Sequence, residues 1–472
     1  MTLLTAGLIV YSQTYSFVWD EGFHLLAARL INEGKRPYLD FCFPQTPLNT
    51  YWNAAWMRLF GDSWRGVHVI ATLLTAGAAM LTADFIFVRF PIPRWRLAAA
   101  ITGAVLIGLN SVVVFYATAG QAYGMCLFLI VAAFRLSLLA AERKEAWLSA
   151  AAGFLAGAAA ASSLLTAMVG PVLIAWILLH NRAGTRLVKF AAFAAAAVIP
   201  FLPVFWLFIQ GPRQVFFNII QYQAIYRRVN WGDVRQHDFE LLISWIDSSQ
   251  TLLLGLLAFA GLRFIAKANQ WDSERRAEFY LCGWLTLAMA FELLTAHPTF
   301  QQYFLLLVPF LAILAAVGLY TVSARLYDPD RPLAPTLALG IFILLALGKS
   351  LYEHRDDYTW QAMQRIAAKV DEVTPRQATL WADESIYFLT RRPPPSGMEF
   401  QYAHKLELPA AEAASLHIVS NSELQKRLEA GVYSTVETCE DNDKIESMNL
   451  PRLYSQKDAL DDCNVFWDKL PR

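Results

Sequence analysis

The sequence predicts a polytopic all-α membrane protein of about 11 transmembrane helices, with a small C-terminal α/β domain on the outer face. Three observations predict it. Hydrophobic residues make up 56% of the 472 residues and charged residues only 17%, against about 45–50% and about 25% in an ordinary globular chain. Several long stretches carry no charge at all, and the short connections between apolar stretches are basic on alternate sides. The 39 Lys+Arg cancel the 39 Asp+Glu, so no overall basic field exists to attract DNA or RNA, and nucleic-acid binding is excluded as a class.

A helix needs roughly 20 apolar residues to cross the hydrocarbon core. Met1 to Trp19, Leu97 to Phe134, Ala146 to Asn181 and Phe190 to Pro212 are uncharged, and the second and third are long enough for two spans each. Segments 66–88, 248–265, 279–295, 301–322 and 333–351 complete the set. With the N-terminus inside, the cytoplasmic connections carry Arg89, Arg94 and Arg96; Arg143 and Lys144; Arg182, Arg186 and Lys189; Arg263, Lys267, Arg275 and Arg276; Arg325 and Arg331. That alternation obeys the positive-inside rule and leaves the C-terminus extracytoplasmic. The first span is expected to be retained, since removing it inverts the charge pattern.

The expected domains are therefore a membrane part, 1–351, with an outer loop 19–65 carrying interfacial helices, and an extracytoplasmic part, 352–472. In the latter, Gln377–Asp383, Ser415–Ser420 and Gly431–Thr438 read as strands. Asn421–Ala430 reads as a helix capped by Ser420 or Asn421. Cys439 and Cys463 are read either as a disulfide or as two free thiols. The Arg391-Arg392-Pro393-Pro394-Pro395 run reads as a rigid loop, and no catalytic constellation stands out in the tail.

Metal-site spacing, P-loops, GxGxxG after a strand and GxSxG elbows are absent from the sequence. Chemistry-bearing residues concentrate instead in the first outer loop, where Asp20 and Glu21 follow nineteen uncharged residues. A carboxylate fixed at the membrane–water boundary meets a substrate whose lipid tail stays in the bilayer, and partial desolvation strengthens it as a base. The other reading is that both acids cap the following helix; spacing alone leaves the two open. Gly22–Asn32 has the pattern of an amphipathic interfacial helix, with His24 and Arg29 among Phe23, Leu26 and Leu30.

Further along, Arg227 and Arg228 lie among aromatics in an outer loop, suited to phosphate or to lipid headgroups. His297 opens a turn before Gln302 and Tyr303, with Glu292 about one turn earlier, either at a site or at a plain helix boundary. Asp84 reads as a helix–helix hydrogen-bonding group and Arg135 as a snorkelling side chain.

The run from Trp19 to Gly61 resembles the first outer loop of GT-C glycosyltransferases, in particular the family of protein O-mannosyltransferases and aminoarabinose transferases. Its Asp-Glu, Gly-x-x-Pro-Tyr-x-Asp and Pro-Leu-x-x-Tyr-Trp motifs stand here as Asp20-Glu21, Gly34 to Asp40 and Pro47-Leu48-Asn49-Thr50-Tyr51-Trp52. The resemblance implies a GT-C fold and an inverting transfer of a sugar from a polyprenyl-phosphate carrier, by a hexosyl- or pentosyltransferase in a bacterial cytoplasmic (inner) membrane. It implies no cofactor and no metal for the chemistry, and Asp20, beside Glu21, as the catalytic carboxylate that takes the proton of the acceptor hydroxyl; the acceptor itself, a glycolipid, polysaccharide or protein, stays open. With the residue reading beside it, the candidate substrate-binding residues are His24, Tyr38, Asp40, Gln45, Tyr51, Gln121, Arg227, Arg228, Glu292, His297, Gln302 and Tyr303, with membrane lipid as a further partner.

Two departures matter. The lysine of the aminoarabinose transferases' Phe-x-Lys-Pro-Pro-Leu motif is here Gln45, and the arginine three residues after their aspartate is here Phe23. Phosphate must then be held elsewhere, and aminoarabinose is disfavoured as the sugar. The second outer loop offers Gln121 and no acid, which disfavours protein mannosylation. The alternative class is a transporter or flippase of a lipid-linked glycan, which predicts inverted repeats and broken helices that the sequence lacks.

Overall fold

The computed structural model describes residues 1–267, 271–328 and 330–470, so the last two residues of the expected C-terminal domain lie outside it. Apolar sequence without water must satisfy its own backbone, and helices do so locally. Helices occupy the expected spans: Thr2–Thr14, Trp64–Arg89, Arg96–Gly108, Tyr123–Glu142, Ala146–Ser162, Val169–Leu179, Arg186–Val198 with Leu202–Gln210, Ser249–Lys267, Ser273–Leu293, Val308–Leu326 and Leu333–Glu353. Six of the described helices are long and apolar enough to cross a membrane by length and composition.

The chain divides into two compact units. The first comprises Met1–Gln13, His68–Pro203 and Gly232–Asp356; the second comprises Thr14–Val67, Val204–Trp231 and Asp357–Arg472.

In the first unit, glycines let helices meet backbone to backbone. A Cβ at Gly318 would lie 1.8 Å from the Leu257 carbonyl oxygen, and one at Gly157 would lie 2.1 Å from that of Ala197. Small residues at helix contacts are the usual means of close approach where both sides are apolar. Polar ties add to this packing. The Gln250 amide donates to the carbonyls of Leu109 and Ile343, at 3.0 Å each, and accepts from the Ser111 N–H at 2.8 Å. Arg135, expected to snorkel, is instead ion-paired with Asp84. Pairing removes the cost that snorkelling would otherwise avoid.

The second unit joins the 19–65 segment to the tail around one hydrophobic core. Phe23, Leu26 and Leu30 from the Trp19–Asn32 helix share it with Trp360, Met363, Ile386 and Phe388. The expected amphipathic helix is therefore enclosed, and every residue from Glu21 to Leu30 is buried. Two features allow this. Gly22 has no Cβ, so the Ser385 backbone comes within 3.0 Å of where one would be. The Arg29 guanidinium, which needs water or partners, donates to the carbonyls of Tyr387 (2.8 Å), Phe388 (3.1 Å) and Arg392 (3.0 Å).

The tail carries a four-stranded sheet in the order β1-β2-β4-β3, with β1 (Leu380–Trp381), β2 (Thr435–Thr438), β3 (Tyr454–Leu460) and β4 (Cys463–Lys469). β1 and β2 pair in parallel; the other pairs are antiparallel. The helix expected from Asn421 runs to Glu429, and the Ser420 hydroxyl accepts from the Glu423 N–H at 3.3 Å, as an N-cap does. Ser415–Ser420 is not a strand. Its buried Leu416 and Ile418 belong to the end of the Ala410–Ser415 helix, where the Ile418 N–H bonds back to Ala413 O at 2.9 Å and His417 has φ 55. The β3–β4 hairpin was not expected. It turns through Asp461 and Asp462, both at positive φ (47 and 63), where Asn-Gly is the recognisable signal. Of the two readings of Cys439 and Cys463, the structure has the disulfide.

Candidate active site

The Trp19–Asn32 helix opens after Val18 in extended backbone, with no side-chain cap at that position. Asp20 and Glu21 fall in its first turn, where the helix dipole favours negative charge. Consecutive residues on a helix point about 100° apart, so the two carboxyls face different partners. Glu21 is fully buried and accepts from the Trp360 indole N–H at 3.1 Å. Asp20 keeps part of its surface, accepts a hydrogen bond from the Tyr402 phenol, and lies within electrostatic reach of Arg227. Desolvation pushes the Asp20 carboxyl above its ordinary value; Tyr402 and Arg227 pull it partly back. The outcome is a carboxyl group of heightened basicity with a hydrogen-bond donor and a cation that favour its charged form.

The segment around Tyr402 is fixed from three sides. The Gln401 backbone N–H donates to Glu384 Oε1 at 2.7 Å, and its side chain donates to Ala382 O at 3.0 Å. The Tyr222 hydroxyl donates to Tyr402 O at 3.3 Å, and its ring meets Phe400 at 5.7 Å. Lys405 donates through Nζ to the Arg227 carbonyl at 2.6 Å. Nearby, burial and Asp383 push Glu384 up to about 8, and burial pushes Asp383 to about 6. Glu437 accepts from the Asp383 N–H at 3.0 Å and is also raised by burial.

Glu384 is therefore a neutral acid at neutral pH. The folded carboxyl holds its proton more tightly than an unfolded one titrating near 4.5. Its stabilising contribution is complete below that value and is lost as pH rises towards about 8. Glu384→Gln keeps an acceptor for the Gln401 N–H but cannot ionise. Its melting temperature should exceed that of the unsubstituted protein by a margin that widens from pH 5 to pH 8. A margin constant with pH would show that Glu384 titrates normally.

The remaining candidates of the second unit lie as follows. His24 is buried between Phe23 (rings 4.3 Å) and Phe43 (5.8 Å), and desolvation lowers it to about 3. Tyr38 is fully buried and its hydroxyl donates to the Gln45 carbonyl at 2.6 Å. Asp40 is ion-paired with Arg36 at 2.9 Å, which lowers its pKa. Gln45 and Tyr51 are half-buried, and Arg228 is exposed.

Gln121, Glu292, His297, Gln302 and Tyr303 belong to the first unit. There Gln121 is buried with Oε1 unpartnered. Glu292 accepts from the Met168 N–H at 3.0 Å, and His297 Nδ1 lies 2.5 Å from Asp238 Oδ2. Gln302 and Tyr303 are buried, with Tyr303 6.4 Å from the Tyr123 ring.

The second unit thus brings Asp20 and Arg227 together, although they are far apart in sequence. Sequence reasoning missed Tyr402, Lys405 and Glu384. The available signal was weak: Asp383-Glu384 repeats the Asp-Glu pair of the first loop, but so does Asp371-Glu372 in the same tail. Arg392, expected in a rigid loop, is bonded to Asp371 (2.9 Å), Pro375 O (2.9 Å) and Thr374 O (2.7 Å).

No family model and no curated protein matches the chain. Among solved structures it is similar to ArnT from Cupriavidus metallidurans, crystallised bound to undecaprenyl phosphate. That match has a TM-score of 0.68 at 16% identity and covers 98% of this chain and 97% of that one. A looser likeness is to the oligosaccharyltransferase AglB from Archaeoglobus fulgidus in complex with an inhibitory peptide and a dolichol-phosphate. There the TM-score is 0.49 at 13% identity, over 92% of this chain and 68% of that one. The fold is the helical GT-C type with a small C-terminal sheet, as the sequence predicts.

Proposed function

We propose that the protein is an inverting glycosyltransferase that moves a sugar from a polyprenyl-phosphate carrier to an acceptor hydroxyl on the outer face of a bacterial cytoplasmic membrane. The observation that carries this is the Asp20 carboxyl, desolvated, hydrogen-bonded by Tyr402 and within electrostatic reach of Arg227. The fold shared with a protein crystallised on undecaprenyl phosphate supports the choice of carrier.

The chemistry follows from the charges. The acceptor hydroxyl gives its proton to Asp20 as its oxygen attacks the anomeric carbon. The bond from that carbon to the phosphate oxygen breaks, its electron pair stays on the phosphate, and the anomeric centre inverts. Negative charge grows on the leaving phosphate, where fixed cations stabilise it. Arg227 and Arg228 are the cations assigned to this role, in place of the lysine that Gln45 replaces. Glu21, turned to Trp360, holds the helix start and leaves the proton to Asp20. His24, Tyr38, Asp40, Gln45 and Tyr51 are assigned to shaping the sugar side of the loop. Gln121, Glu292, His297, Gln302 and Tyr303 are kept as substrate-binding candidates of the first unit.

Two measurements test the proposal. Mass spectrometry of envelope glycolipids and glycoproteins with and without the gene should show one glycan lost, with its polyprenyl-phosphate precursor retained. An unchanged glycan profile would refute it. Separately, Arg227→Gln with Arg228→Gln should raise the apparent KM for the lipid-linked donor by about ten- to a hundredfold, the loss expected for charge-assisted bonds to phosphate. Unchanged donor dependence would assign both arginines to lipid headgroups instead.

A further inference from the structure

We infer that the 401–405 segment of the tail is part of the active centre, with Tyr402 positioning the Asp20 carboxylate and Lys405 positioning the loop that carries Arg227. The inference rests on the assignment of Asp20 as base and deepens it, because it moves the setting of that base into a region that carried no chemical signal in the sequence.

The geometry is a bracket. Gln401 is pinned through its backbone to Glu384 and through its side chain to Ala382 O. Tyr402 is held through its carbonyl by Tyr222, leaving its hydroxyl for Asp20. Lys405, about one helical turn further on, reaches the Arg227 carbonyl at 2.6 Å. A short rigid stretch thus touches both the proton acceptor and the backbone of the cationic loop, and sets one against the other.

Tyr402 is suited to positioning because it donates a single bond from a phenol that keeps its proton. Burial and the surrounding carboxyls raise the pKa of that phenol. Half of the residue remains exposed, and its ring packs on Phe400 at 5.6 Å. A tyrosine hydroxyl fixes one carboxylate oxygen and leaves the other free to take a proton from an incoming alcohol.

The groups that face Asp20 come from four elements. They are Tyr402 from the bracket, Arg227 from its loop, and Tyr222 ahead of that loop. The start of the Glu384–Thr390 helix adds Glu384, while Asp383 faces Tyr402 and Glu384. On its own helix the neighbours are Glu21, turned to Trp360, and His24, neutral through burial. The phenol is the group that hydrogen-bonds the Asp20 side chain and Arg227 the cation that favours its charged form, so losing the phenol removes one of the two influences that lower its pKa.

The test uses the full-length protein in lipid nanodiscs. Infrared titration follows the Asp20 carboxyl band, identified by its loss in Asp20→Asn. Tyr402→Phe, which keeps the ring on Phe400, should move the midpoint of that band to higher pH by about one unit, because a bond favouring the charged form is gone. The acidic limb of transfer activity should move with it. Lys405→Met, which has no donor, should weaken binding of undecaprenyl phosphate about tenfold, and Lys405→Arg, which can still donate to the carbonyl, should retain it.

An unmoved Asp20 midpoint in Tyr402→Phe overturns the inference, as does undiminished binding in Lys405→Met. Because the infrared readout needs no turnover, these outcomes are distinct from failure of the base assignment, which would appear as full activity in Asp20→Asn.

Discussion

Asp20→Asn should lower sugar transfer by about a thousandfold, within the range that removal of a general base produces, while the protein folds and inserts as before. The substitution is nearly isosteric. The carbonyl of the introduced amide still accepts from the Tyr402 phenol, and the helix start loses no cap, because no side-chain cap is present at Val18. Burial disfavours the Asp20 carboxylate, so its neutral replacement should leave the melting temperature unchanged or slightly higher. Loss of activity without loss of stability is the signature of a chemical role. The pH profile supplies a second check. Activity requires the anion, and its pKa is raised, so the acidic limb should lie above the ordinary value of 3.8. Full activity in Asp20→Asn would remove Asp20 as the base. An acidic limb at or below 3.8 in the unsubstituted protein would remove the desolvation argument.

How much of this was legible in the sequence depends on the range of each signal. The helices were readable because hydropathy and basic connections act locally, residue by residue. The Ser420 cap was readable for the same reason, since donor and acceptor stand three residues apart. Asp20 was readable because a charge after nineteen uncharged residues is conspicuous even alone. Its partners were not. Tyr402 is an unremarkable tyrosine in a loop, and only the fold of the second unit carries it to the start of the Trp19–Asn32 helix. The opposite error affected the amphipathic reading of that helix. Polar residues at helical spacing suggest a wet face, yet His24 and Arg29 are buried. In the tail, Leu416 and Ile418 alternate like a strand but are buried from a helix end, whereas the mostly polar, exposed β3 gave little pattern to read.

Arg29 shows what that burial demands, and Arg29→Met should destabilise the second unit by about 2–4 kcal/mol, because a buried carbonyl that loses its donor costs about 1–3 kcal/mol. Arg29 is 3% exposed, and its guanidinium ends the Glu384–Thr390 helix by donating to Tyr387 O, Phe388 O and Arg392 O. Those carbonyls have few other donors at a helix end, and methionine fills the space of the aliphatic stem without replacing a single bond. The helix so capped begins with Glu384, whose carboxyl holds Gln401, so loosening its far end should also disturb Tyr402 and with it Asp20. Arg29→Met is therefore expected to lower the melting temperature by several degrees and to reduce activity, in contrast to Asp20→Asn, which should reduce activity alone. Arg29→Lys separates the contributions. One ammonium can satisfy part of the carbonyl set but cannot span all three, so the variant should fall between the two. If Arg29→Met melts at the temperature of the unsubstituted protein, the three carbonyl bonds do not hold the tail against the first outer loop, and the position of Tyr402 must be set by the Glu384 and Tyr222 contacts alone.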